Sequence, residues 1–200
     1  KGYDLMLVYN PNGTEYYAEF DVEYVQKGEL NNVGVLDVPV SFYAKTPWYK
    51  ILPQVINVDP TSEGSSSRFD LTFDFRFSND DTAGNTVINS LGHLPAALDI
   101  TVTGAMTDPK ITLTDSDGLL IGKMELADVA IQSGSVLRYS SKYLDTGVWI
   151  DGVDQLPNLD LSNENFFRVP MSKACTLSIT STGATNLSAT INVYQYYRSV

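Results

Sequence analysis

The residues best suited to chemistry lie in KITLTDSDGLLIGKMEL, residues 110–126, where Asp115, Asp117 and Gly118 form an acidic cluster. Acids at alternate positions followed by glycine are typical of a calcium-binding loop, which also needs a ligand two residues before this pair and a glutamate six residues after the glycine. Here Leu113 occupies the first of those positions, and Glu125 lies seven residues after Gly118. Because Asp-Gly between alternating segments is a strong hairpin signal, the cluster is interpreted as a turn between two strands.

No other reactive residues form a catalytic or metal-binding motif. His93 is the only histidine and lies in NSLGHLP, where glycine and proline predict a loop. Cys175 is the only cysteine, and its neighbours in ACTLSIT are apolar at alternate positions, which predicts a buried thiol. Two such residues cannot make a zinc site. We therefore predict no catalytic residue, no metal ligand and no cofactor.

The carboxylates leave one enzymatic hypothesis open, since a glycosidase needs only two acids at a suitable separation in space. The chain has 24 Asp and Glu residues. Most of them alternate with apolar residues along strands or lie in turn sequences, which favours solvated acids over a catalytic pair. Examples are Asp70, Asp74, Asp80, Asp81, Asp151 and Asp154.

Charge restricts the partners. The 13 basic and 24 acidic residues give a formal net charge of −11, which argues against nucleic-acid recognition and against docking on anionic lipid. No apolar run approaches the ~18 residues of a membrane span. The chain begins KGYDLMLVY, without methionine and almost directly in strand-like sequence, so we expect that N-terminal residues are missing.

Period-2 alternation dominates the elements that must position these residues. In RFDLTFDFRF, residues 68–77, every odd position is apolar and every even position is polar, which predicts a strand with one buried face. Similar runs are LMLVYN, EYYAEFDVEYV, VGVLDVPVSFYA, ALDITVTG, KITLT, CTLSITS and LSATINVYQYY. Turn signals separate them at 11–13, 27–28, 108–109, 117–118 and 182–183. The sequence predicts an all-β sandwich or barrel, with TAGNTVINSL open between helix and strand.

A composition break at DPTSEGSSS, residues 59–67, is interpreted as a linker or a long loop. It predicts a smaller N-terminal β domain, residues 1–60, and a larger β domain, residues 61–200. Aromatic clusters favour either core or interface positions: Trp48-Tyr49 and Tyr196-Tyr197-Arg198 leave both open. For Trp149 in GVWIDG, a position in the sandwich core is favoured over a ligand contact.

Several segments in order resemble the distal tail proteins of long-tailed bacteriophages. These segments are KGELNNVGVLDVPVSFYAKTPWYK, RFDLTFDFRF, NSLGHLPAALDITVTGAMTDPKITLTDSDG, LDLSNENFFRVP and INVYQYYRSV. The similar features are a turn and a short strand ending in glycine (Asn89, Gly92, Gly104), a proline turn (Asp108-Pro109), and a late FFR-P segment (Phe166, Phe167, Arg168, Pro170).

This resemblance implies an antiparallel, galectin-like or jelly-roll sandwich in the C-terminal domain and a ring-forming N-terminal domain, which we expect to be incomplete in this sequence. It implies a homo-oligomer, usually a hexameric ring, at the distal end of the phage tail in the virion. The implied partners are the tail tube protein, the tail-associated hub protein and receptor-binding proteins. The first hypothesis is thus a structural tail component without catalysis. The alternatives are a carbohydrate-binding adhesion module of the virion, with Trp149 in its platform, and a glycosidase.

Overall fold

A computed structural model of the chain describes residues 5–30, 33–56, 82–162 and 165–199. Within these ranges the regular structure consists of β-strands and two short 3₁₀ turns, Pro11–Gly13 and Leu156–Asn158. The strand pairs with a described register are antiparallel. The predicted all-β class is confirmed. The predicted strand 68–77, the linker 59–67 and the domain boundary at residue 60 lie outside the described residues.

Fourteen strands are described in this part of the chain. They are β1 (Leu5–Tyr9), β2 (Tyr16–Val25), β3 (Glu29–Leu30), β4 (Leu36–Asp37), β5 (Val40–Ala44), β6 (Trp48–Ile56), β7 (Thr82–Asn89), β8 (Leu94–Asp115), β9 (Leu120–Glu125), β10 (Ala130–Ile131), β11 (Val136–Lys142), β12 (Asp145–Ile150), β13 (Val153–Asp154) and β14 (Ala174–Tyr197). The first eight residues of TAGNTVINSL, which the sequence left open between helix and strand, form strand β7.

The chain divides into two compact units. Unit 1 comprises Lys1–Lys50 with Tyr196–Val200, and unit 2 comprises Ile51–Gln195. In unit 2, strands β14, β8, β11, β12 and β13 lie side by side in that order, β7 pairs with β14, and β9 and β10 pair with β8. Alternation sets the buried face, as in β11, where Leu137 and Tyr139 enter the core while Arg138 and Lys142 face outward.

Strand β8 continues through two predicted breaks. A strand ending at Gly104 and a turn at Asp108-Pro109 were expected, but β8 runs unbroken to Asp115. Asp108 has a φ of +49°, its carboxylate accepts the Val129 N–H at 3.0 Å, and its own N–H donates to the Val129 carbonyl at 2.8 Å. The buried positions change there from even numbers (Val102, Met106) to odd numbers (Ile111, Leu113). The left-handed backbone at Asp108 therefore accompanies a change of the buried face without ending the strand.

Strand β14 likewise runs through the turn predicted at 182–183. Buried odd-numbered residues occur before it, at Cys175, Leu177 and Ile179, and again after it from Leu187 onward. Pairing along the strand therefore overrides the local turn propensity of Thr-Gly, and the two strands predicted here are one.

The hairpin predicted at the acidic cluster is confirmed. Asp115 is buried, and its Oδ1 accepts the N–H groups of Asp117 at 3.0 Å and Leu119 at 2.9 Å. Gly118 has a φ of +79°, a conformation that favours glycine. Strands β8 and β9 pair immediately on either side, with Thr114 opposite Leu120. Asp115 therefore organises the turn through Oδ1, while its Oδ2 lies 3.5 Å from Lys173 Nζ.

Candidate interaction surfaces

The described sheet of unit 1 is built around β2. One edge of β2 pairs with β1, from Leu5 opposite Phe20 to Tyr9 opposite Tyr16. Phe20 also lies opposite Ala44 of β5, so β5 is on the other side of β2. Strand β6 pairs with β2 on the same side as β5, where Tyr49 of β6 lies opposite Tyr17 of β2.

Both faces of β1 and β5 are open to solvent. All five side chains of each strand are exposed, and successive side chains in a strand point to opposite faces of the sheet. Met6 is 57% exposed and Tyr43 is 64% exposed. The sequence predicted one buried face for these strands, which is wrong for the described structure. Contiguous exposed apolar surface of this kind marks sites of protein–protein contact.

Aromatic rings line part of this sheet. The Trp48 ring packs edge-on against Tyr9 at a centroid distance of 6.2 Å and against Phe20 at 5.9 Å. Tyr49 and Tyr196 are buried and pack edge-on at 6.1 Å. The sequence left these aromatics open between core and interface. Tyr49 and Tyr196 are interior residues of unit 1, whereas Trp48 remains partly exposed in the exposed sheet.

Unit 2 carries a group of charged and aromatic side chains on the outer face of β8, β11 and β12, here called the Arg138 cluster. Arg138 donates from Nε to Asp99 Oδ1 at 3.1 Å and from Nη2 to Asp99 Oδ2 at 3.0 Å, and also donates to Asp145. Lys142 Nζ lies 3.3 Å from Asp145 Oδ2. These hydrogen bonds, led by those to Asp99, raise the pKa of Arg138.

Trp149 belongs to the same cluster. The Arg138 guanidinium carbon lies 5.0 Å from the indole centroid. The indole lies over Gly147, where an added Cβ would be 2.5 Å from the nearest ring atom. Glycine is thus needed at position 147 for the indole to lie there. Trp149 is partly exposed, and the adjacent Val148 enters the core, so the favoured core interpretation of Trp149 is wrong.

Unit 2 also has an open apolar cleft of about 460 Å³. Its lining residues come from the start of β8, from β9 and from the irregular segment before β14. They are Pro95, Ile121, Phe166, Phe167, Arg168 and Pro170. The FFR-P motif, which is part of the family resemblance, therefore contributes four residues to the lining of this cleft.

Of the other residues singled out for chemistry, Cys175 lies close enough to Asp115 for that carboxylate to act electrostatically on its thiol. His93 is exposed in the bend between β7 and β8. Cys175 is buried, and this burial raises the pKa of its thiol. In the described ranges, no three Asp, Glu, His or Cys side chains are placed to hold a metal ion. No helix described here is long and apolar enough to cross a membrane.

Within the described ranges, the carboxyl groups with shifted pKa values, Asp115, Asp151 and Asp160, have lowered pKa values. Hydrogen bonds to the N–H groups of Leu119 and Asp117 lower the pKa of Asp115, and one to the N–H of Val136 lowers that of Asp151. The side chain and N–H of Ser162, with Lys123, lower the pKa of Asp160 to about 2. A general acid in a glycosidase needs the opposite shift.

Comparison with known proteins gives similarity of structure without similarity of sequence. No protein-family model matches the chain, and no curated protein matches it in sequence. A solved structure of the phage P2 baseplate in its activated conformation with Ca contains a similar chain, with a TM-score of 0.60 and 14% identity over 98% of this chain and 70% of that chain. The chain shares the fold of a phage P2 baseplate component. The same baseplate with Sr gives a TM-score of 0.58 and 12% identity over the same shares of the two chains.

Proposed function

We propose that this chain is a structural component of a phage tail tip or baseplate and acts by docking, without catalysis and without a cofactor. The fold shared with a phage P2 baseplate component supports this role. The observation that carries it is the sheet of β1, β2 and β5, with apolar side chains exposed on both faces. Such a surface is costly for an isolated protein in water and is stabilised when another protein covers it.

The finer proposal is a distal tail protein that closes into a ring, hexameric by resemblance, between the tail tube protein and the hub protein. Strands β1 and β5 flank β2 on opposite sides, and neither pairs with a further described strand. Different edges on opposite sides favour head-to-tail contacts, which generate rings when the rotation closes. The ring would lie at the distal end of the tail in the virion and carry receptor-binding proteins.

Native mass spectrometry and electron microscopy of the chain test this proposal. We expect a ring-shaped oligomer that Met6→Glu and Tyr43→Glu each convert to monomer, because each places a charge in the exposed apolar sheet. Leu161→Glu is the matched control, since Leu161 is 70% exposed but lies in unit 2. A strictly monomeric chain that binds neither the tail tube protein nor the hub protein would refute the proposal.

A second candidate function is a carbohydrate-binding adhesion module. The Arg138 cluster favours it, because a partly exposed indole beside charged hydrogen-bonding groups is a suitable chemistry for a saccharide. Binding to host-wall polysaccharide that Trp149→Ala abolishes would support this function. If the unmodified chain bound no glycan on an array and no host polysaccharide, this candidate function would be refuted.

A further inference from the structure

The cleft in unit 2 has walls that are fixed before any ligand arrives. The segment carrying Phe166 to Pro170 is held to β8 by two backbone hydrogen bonds between Ala96 and Val169, at 2.9 and 2.8 Å. The Tyr139 hydroxyl, in the core, donates to the Phe167 carbonyl at 3.3 Å. Tyr139 also stacks on Phe167 at a centroid distance of 5.2 Å and on Phe166 at 6.3 Å. A ligand therefore loses little affinity to ordering of the site.

Arg168 is the charged residue among those that line the cleft. Its Nε donates to the Ser141 carbonyl at 3.3 Å, and its central carbon lies 3.9 Å from the centroid of the Tyr143 ring. These two contacts fix the guanidinium plane. No described carboxylate forms an ion pair with Arg168, although the chain has 24 acidic residues against 13 basic ones. An arginine held in this way presents its remaining N–H groups to a planar anion.

The combination selects one ligand chemistry. Apolar walls formed by Pro95, Ile121, Phe166 and Pro170 disfavour a sugar, whose hydroxyl groups would lose water without gaining partners. The net charge of −11 disfavours a polyanion. A single carboxylate beside an apolar side chain satisfies both the walls and the guanidinium.

We propose that this cleft binds a segment of another protein in which an aromatic or leucine side chain adjoins a carboxylate. The apolar side chain fills the cleft, and the carboxylate accepts hydrogen bonds from Arg168. This proposal does not depend on ring formation by unit 1.

NMR titration of the full chain with N-acetyl-Leu-Phe tests the proposal, using the free acid and its C-terminal amide as paired probes. We expect signal changes confined to the cleft, led by the Ile121 methyl groups and the Arg168 Nε–H, at millimolar affinity. The amide should bind roughly 10-fold more weakly than the acid, because it lacks the charge that pairs with Arg168.

Variants separate the two halves of the site. Arg168→Gln should weaken the acid roughly 10-fold and leave the amide unchanged, whereas Ile121→Ala should weaken both probes. Arg198→Gln, at an exposed arginine in unit 1, is the matched control and should change neither. Equal effects of the two arginine variants would overturn the proposal. Signal changes located outside the cleft would also overturn it. The absence of any response to either probe would overturn it as well, because it would mean that this chain itself fills the cleft.

Discussion

Asp99→Asn should destabilise unit 2 measurably, and Asp145→Asn should not. Both carboxylates bind Arg138, but the Asp99 side chain is only 12% exposed whereas that of Asp145 is 36% exposed. Asp99 also accepts two hydrogen bonds from the guanidinium, at 3.1 and 3.0 Å. The Arg138 cluster therefore contains one largely buried contact and one partly exposed contact around the same cation.

The magnitudes follow from this difference in hydration. A hydrogen bond to a charged group contributes about 1.5–3 kcal/mol when buried, and an exposed ion pair about 0.2–1 kcal/mol. Asparagine at position 99 keeps one acceptor, and Arg138 is itself 37% exposed, so we reduce the full value. The expected loss in the free energy of unfolding is about 1–2 kcal/mol for Asp99→Asn and about 0.5 kcal/mol or less for Asp145→Asn.

Denaturant unfolding in a Trp48→Phe background provides the assay, because Trp149 is then the only tryptophan and its fluorescence reports unit 2. A double-mutant cycle with Arg138→Met tests the cause. The cost of Asp99→Asn should largely disappear once the guanidinium is absent. Equal costs for the two asparagine variants, or an unchanged cost of Asp99→Asn in the Arg138→Met background, would refute this account of the cluster.

Three further predictions concern single groups. The buried Cys175 thiol should react with a thiol reagent on the order of 100-fold more slowly in the native chain than in urea, and equal absorbance-monitored rates would contradict its burial. Gly147→Ala should displace the indole of Trp149, shift its emission and cost about 1 kcal/mol in denaturant unfolding, whereas an unchanged spectrum would contradict the close contact. Since the folded pKa of Asp160 is about 2, below its unfolded value of about 3.9, its stabilising effect is present above pH ~4 and is lost as the pH falls through ~2. Carbon-detected NMR titration should find that low midpoint, with Asp160→Asn as the control that loses this pH dependence.

Local sequence signals were sufficient where neighbouring residues decide the structure. The hairpin at Asp115 follows from an aspartate that accepts its own turn's N–H groups and a glycine at positive φ. The same signals were misleading at Asp108-Pro109 and at residues 182–183, where β8 and β14 continue. At Asp108, pairing with Val129 keeps the strand in the sheet, and a turn propensity cannot anticipate a partner so distant in sequence.

The interaction surfaces were less accessible from the sequence. Asp99 and Arg138 are brought together by the β8–β11 register, and Arg138 and Trp149 by the β11–β12 register. A usable signal was the glycine two residues before Trp149, which leaves room for a ring lying flat on its own strand. In unit 1, LMLVY has apolar side chains at every position, so its composition contained the information that neither face is polar. Assuming one buried face for each strand led to a wrong prediction for β1, whose two faces are both exposed.

The partnership of β7 with β14 has a consequence for synthesis on the ribosome. Ile88 lies opposite Cys175, so β7 gains this partner only after about 87 further residues have been added. At ~5–20 residues per second the delay is roughly 4–17 s, during which the apolar side of β7 lacks its neighbour in the sheet. Nascent chains of this protein therefore have a defined interval in which a chaperone, or premature contact with another nascent chain, can compete for that strand.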